Sequence, residues 1–120
     1  MTARQLILAF ALTVIPAPFV NAQDRGHAKE QVEFGIQVAQ RGLWREAIYR
    51  WERATQLDPG YASAFNNLAV AYEHEGQLDK ARAAYEKALA LEPNNALIRQ
   101  NFDLFKEIND RAAQKDGPKP

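Results

Sequence analysis

The 120 residues carry 15 basic and 15 acidic side chains, no cysteine, and 47% apolar residues. That length suffices for one small domain, and a balanced charge argues against a nucleic-acid backbone or an anionic lipid surface as partner, since neither would meet a dominant positive field. Without cysteine there is no disulfide, no thiolate nucleophile and no lipid attachment at a processed N-terminal cysteine.

Residues 1–22 differ in kind from the rest. Arg4 precedes an apolar run from Leu6 to Ile15, Pro16 and Pro18 break any helix, and Val20-Asn21-Ala22 supplies the small residues of a signal-peptidase site. The pattern predicts a secretory signal, cleaved to leave Gln23 as the new N-terminus. A membrane anchor needs about 20 apolar residues, and this run is shorter and interrupted by prolines, so no membrane span is expected in the mature chain. Removing Arg4 with the signal leaves 14 basic residues against 15 acidic, a net charge near −1. An exported chain with no cysteine and no Asn-x-Ser/Thr acceptor fits secretion across the inner membrane into a bacterial periplasm. Residues 23–27 are expected to be a flexible lead-in.

A self-similarity of period 34 governs the chain from Ala28 onward. Ala28, Gly42, Ala47, Glu52, Ala54, Leu57 and Pro59 each recur 34 positions later, while Phe34 aligns with Leu68, Gly35 with Ala69 and Trp51 with Tyr85. The units are residues 28–61 and 62–95. In the second, Phe65, Leu68, Ala69 and Tyr72 follow steps of three, one and three, one face of a helix, with charged residues mostly elsewhere. Two amphipathic helices around Gly76 make a hairpin, and a lone hairpin cannot bury both apolar faces, so neighbouring units must supply further layers. Trp44 and Trp51 read as core residues. Asn95 is placed to cap a helix over residues 96–111, with Ile98, Phe102 and Phe105 on its inward face. Residues 112–120, with Gly117, Pro118 and Pro120, are expected to be disordered.

These offsets resemble the tetratricopeptide repeat: large Phe65, Leu68, Tyr72 and Tyr85, small Ala69, Ala81 and Ala88, Gly76 at the inner turn, Pro93 at the end. The first unit departs from the pattern at Gln31 and Val38, as suits an end unit, and the third fades at Asp103 and Lys106. The resemblance implies an all-α fold, a right-handed α-α superhelix of two helix-turn-helix repeats plus a C-terminal capping helix.

No catalytic constellation is evident, and neither enzyme activity nor a cofactor is expected. His27 and His74 stand far apart in the layered order. Steps of three or four from His74 reach Val70, Ala71, Gln77 and Leu78, none of them a metal ligand. Ser63 is the only serine, and no glycine-rich phosphate loop is present.

The family resemblance instead implies a concave groove lined by the first helix of each unit. The groove-facing positions are then Lys29, Val32, Ile36, Ala39 and Gln40, with Ser63, Asn66, Val70, Glu73 and His74, and Leu97, Gln100, Leu104, Glu107 and Ile108. Val32, Ile36, Val70, Leu97 and Leu104 are expected to form an apolar stripe, with Asn66 and Gln100 bonding a bound backbone. The carboxylate grip used by some members is not implied, because only Asn67 matches it; the other positions hold Val32, Ile36, Leu97 and Asn101. The expected role is an exported module that holds a peptide or helix of a protein partner. The alternative is a self-assembling homodimer, since two and a half repeats are few for a solenoid.

Overall fold

A computed structural model describes residues 19–117. Most of the expected signal segment, residues 1–18, and the last three residues of the expected tail lie outside the described residues. Those described form five helices and no strand: α1 Ala22–Gln40, α2 Trp44–Leu57, α3 Ala62–His74, α4 Leu78–Leu91 and α5 Ala96–Lys115. Each packs on the next, and α3 also touches α5, which makes an all-α helical-repeat solenoid.

Two boundaries differ from the sequence reading. The lead-in over residues 23–27 is helical, because Asn21 caps α1 by accepting from the Asp24 amide at 2.8 Å and Asp24 in the first turn favours the dipole's positive end. At the other end α5 passes Arg111 and runs to Lys115. Nothing there breaks a helix before Gly117, the Glu107–Arg111 pair at 2.7 Å braces the preceding turn, and Lys115 complements the dipole in the last turn.

Glycine is required at the turn inside each hairpin. Gly42 and Gly76, 34 residues apart, have φ of +79° and +73°, a region costly for any side chain. That conformation lets the chain reverse while the helix-end carbonyls stay bonded: Leu43 N–H donates to Val38 O at 3.0 Å, and Gln77 N–H to Tyr72 O at 2.8 Å, the six-to-one bond of a helix-ending glycine motif. Between repeats the Asp58-Pro59-Gly60 turn is closed by Asp58 Oδ1 accepting from the Gly60 amide at 3.1 Å. Asn95 caps α5 through the Ile98 amide at 3.2 Å.

Small residues set the helix spacing and aromatic residues fill what is left. Ala28, Ala47, Ala54, Ala64, Ala69, Ala71, Ala81 and Ala88 are fully buried, and Trp51, Leu68, Tyr72, Tyr85, Ile98, Phe102 and Phe105 are buried around them. Trp51 lies directly over Gly35, and its indole N–H donates to Val32 O at 3.1 Å, locking α2 onto α1. Trp44, expected in the core, is only half-buried. Phe34 departs from its counterpart: Leu68 is buried beside α2, whereas Phe34 is 43% exposed with the Arg50 guanidinium 4.3 Å over its ring. Among the described residues no helix covers that side of α1, so a cation on the ring face takes the place of packing.

Two buried tyrosines tie successive helices through carboxylates. Tyr72 donates to Glu52 Oε1 at 2.6 Å, joining α3 to α2, and Tyr85 donates to Glu73 Oε2 at 3.1 Å, joining α4 to α3. Burial first, then the adjacent carboxylate, pushes both phenols well above the ordinary value of 10.0. A raised native pKa leaves stability unchanged while both states keep the proton. Once pH passes about 10, only the unfolded chain ionises, and stability falls by about 1.4 kcal/mol per pH unit for each such phenol. Alkaline unfolding monitored by circular dichroism is therefore expected to set in above about pH 10. Tyr72→Phe and Tyr85→Phe should each flatten the descent relative to their own stability near neutrality; an unchanged slope would count against the linkage.

Candidate functional site

The first helices of the repeats and the capping helix converge on one groove of about 500 Å³. It is lined by Ile36, Ala39 and Gln40 of α1, Trp44 and Trp51 of α2, Asn66, Asn67 and Val70 of α3, and Leu97 and Asn101 of α5. Ile36 and Val70 stand 34 residues apart, at equivalent turns of successive repeats. Leu97 comes from the first turn of α5, where the Asn95 cap fixes its direction. These three are the exposed apolar residues of the lining, at 40%, 37% and 60%.

Of the residues the sequence assigns to the groove, the structure gathers Ile36, Ala39, Gln40, Asn66, Val70 and Leu97 there. Val32 is not among them: it is a core residue, 5% exposed. The cause is general to the fold. Val32 and Asn66 occupy the same repeat position, and both are buried because the next repeat closes over that seam. Asn66 is 6% exposed, with its Oδ1 accepting from Asn101 Nδ2 of α5 at 3.2 Å. Asn66 therefore spends its carbonyl on the solenoid itself. Gln100, the equivalent in α5, stays exposed because no described helix follows. Gln100 and Leu104 line a separate depression of about 510 Å³ on α5 with Arg99, Asp103 and Glu107, outside the groove that holds Val70.

His74 reaches the groove only through a neighbour. Its ring stacks on Trp44 with centroids 4.2 Å apart, and its Nδ1 lies 3.8 Å from Glu75 Oε1. Trp44 thus presents the groove with an indole backed by an imidazole. Sequence reasoning missed Trp44 as a lining residue. The available signal was its place two residues past Gly42, where a large side chain opening the second helix stands at the mouth of the hairpin.

A second furrow, of about 460 Å³, runs between α2 and α4 over Phe65, Leu68 and Tyr72 of α3. Two lysines flank its aromatic floor, with Lys80 Nζ 5.7 Å from the Tyr72 ring centroid and Lys87 Nζ 5.9 Å from that of Phe65. Their aliphatic stems border that apolar surface and put cationic heads at its rim. Among the described residues, no lysine lines the groove bearing Val70.

The sequence matches the family described as tetratricopeptide repeat over residues 62–95 and the family described as TPR repeat over residues 38–76. It is similar to a chloroplastic tetratricopeptide repeat domain-containing protein, PYG7, of Arabidopsis thaliana, 32% identical over 87 residues, covering 72% of this chain and 29% of that protein. It is also 30% identical over 89 residues to the type IV pilus assembly protein PilF of Pseudomonas aeruginosa, covering 73% of this chain and 35% of that one. The photosystem I assembly protein Ycf3 of a Synechococcus strain is 28% identical over 86 residues, 69% of this chain and 50% of the relative. The chain thus spans half or less of the length of each of these relatives. No helix among the described residues is long and apolar enough to cross a membrane.

Proposed function

Since the chain belongs to the tetratricopeptide-repeat family, we propose that it is an exported, non-catalytic module that holds a segment of a partner protein in the groove between α1, α3 and α5, within an assembly of the bacterial envelope. The observation that carries this reading is the convergence of Ile36, Val70 and Leu97, from three different helices, on one apolar groove. Scattered exposed apolar residues are ordinary on a protein surface, whereas a concerted apolar lining marks an interaction site. The names of two relatives, one in pilus assembly and one in photosystem assembly, are in keeping with a role in putting other proteins together. Export rests on the character of residues 1–22.

Val70→Glu places a charge in the groove without touching the core, so helicity should persist while recovery of the partner from a periplasmic extract falls at least tenfold. Leu104→Glu, on α5 but outside the groove, should leave recovery within about twofold. Equal recovery with both variants would overturn the assignment. A second reading, self-association, is favoured by Leu104 and Ile108, 55% and 53% exposed on the last helix, together with the small number of repeats. Under that reading Leu104→Glu, not Val70→Glu, lowers the mass seen by sedimentation equilibrium.

A further inference from the structure

Among the described residues, those that line the groove include no ionisable side chain. A quarter of this protein's residues are charged, yet the ten that line the groove are aliphatic, aromatic or carboxamide. The charges of the α1–α2 turn and of the end of α3, including Arg45, Glu46 and Glu75, border a different depression on the other side of Trp44. A charged group entering the groove would give up water and find no counter-charge.

What the lining does offer is specific. Ile36, Val70 and Leu97 supply an aliphatic wall. Trp44 supplies an aromatic one, held in orientation by His74 stacked at 4.2 Å. Trp51 is sealed by its bond to Val32 O and is only 4% exposed. With Asn66 Oδ1 occupied by Asn101 Nδ2, the carboxamides of Gln40 and Asn67 and the oxygen of Asn101 remain to face a ligand. Neutral groups that both donate and accept match a peptide unit better than an ion.

Building on the partner-holding role proposed for this groove, we infer that it selects an uncharged segment of a protein. One aromatic or branched aliphatic side chain of that segment sits between Trp44 and the wall of Ile36, Val70 and Leu97, and acidic and basic residues are excluded beside it. A volume of about 500 Å³ suits one large side chain and its flanking backbone, within the range of specific ligand pockets. Selectivity comes from the penalty on charge rather than from a salt bridge, so binding depends little on ionic strength.

The test is selection of a displayed library of random twelve-residue peptides on the full chain and, in parallel, on Val70→Glu and Leu97→Ser, both at exposed positions. Enriched peptides should share a central Phe, Trp, Leu, Ile or Val with no Asp, Glu, Lys or Arg within two positions of it, and should be lost on both variants. A synthetic representative should shift the tryptophan emission, and replacing its central residue by Asp or Lys should weaken binding at least tenfold. Enrichment of peptides with charged centres, or of none, overturns the inference. If charged peptides are enriched and then lost on both variants, the groove still binds partners and only the selectivity falls. If enrichment survives both variants, the binding lies elsewhere and the groove assignment falls with it.

Discussion

Gly35→Ala is expected to destabilise this protein by about 2–3 kcal/mol, read as a fall in the denaturant midpoint with the slope unchanged. Inside an ordinary helix the same change gains about 1 kcal/mol, because alanine loses less conformational freedom than glycine. Here a Cβ on residue 35 would meet the indole of Trp51, with Cδ1 at 2.7 Å and Cε2 at 2.8 Å. The indole has no room to retreat, being 4% exposed and bonded through Nε1 to Val32 O. The second repeat shows the compensating arrangement, since Ala69 and Tyr85 stand where Gly35 and Trp51 stand in the first, and both are buried. The double substitution Gly35→Ala, Trp51→Tyr copies that arrangement into the first repeat and should recover more than half of the loss, a coupling that marks the two residues as one packing unit. A stabilising effect of Gly35→Ala alone would mean instead that α2 moves away from α1 at little cost.

Tyr85→Ala should cost more, about 3–5 kcal/mol, and should act on one end of the molecule. The Tyr85 ring lies 5.4 Å from both Phe102 and Phe105, centroid to centroid, and is 1% exposed. It is the centre of the contact between α4 and α5. Its removal leaves a cavity too enclosed to collapse and withdraws the aromatic partners of the final helix. In a solenoid each layer is held by its neighbours. Hydrogen exchange should accordingly show the α5 amides losing protection first and most, while those of α1 and α2 change little. Tyr85→Phe keeps the ring and loses only the bond to Glu73, a change of about 1 kcal/mol. Uniform loss of protection in Tyr85→Ala across all five helices would show a single cooperative unit instead.

Much of the fold was legible before any coordinate. The 34-residue period placed the two hairpins, because each repeat solves the same local problem with the same residues: a glycine at positive φ, a proline after the second helix, alanines at the close contacts. Helix ends were harder. Asn21 caps α1 from within the residues that read as a signal, and the continuation of α5 past Arg111 rests on a side-chain pair one turn earlier. Both depend on local hydrogen bonds and charges that a hydrophobic pattern does not record.

Of the groove residues, Ile36, Val70 and Leu97 could be read from their repeat positions, since an outward apolar residue at a fixed offset repeats its direction with the helix. The fates of Val32, Asn66 and Gln100 could not. All three stand at one repeat position that the pattern turns outward, but burial there depends on whether another helix closes the seam. That is a contact between layers rather than a property of any one of them. Trp44 is the clearest case. Its sequence position suggests a core aromatic, and only the approach of α3 beside α2 brings His74 onto its ring and leaves it facing the groove. Periodicity within the chain thus decided the helices, their turns and their close-packed faces, because those are set by neighbours a few residues away. Stacking of one repeat on the next decided which outward residues were covered, which remained open and what they could bind.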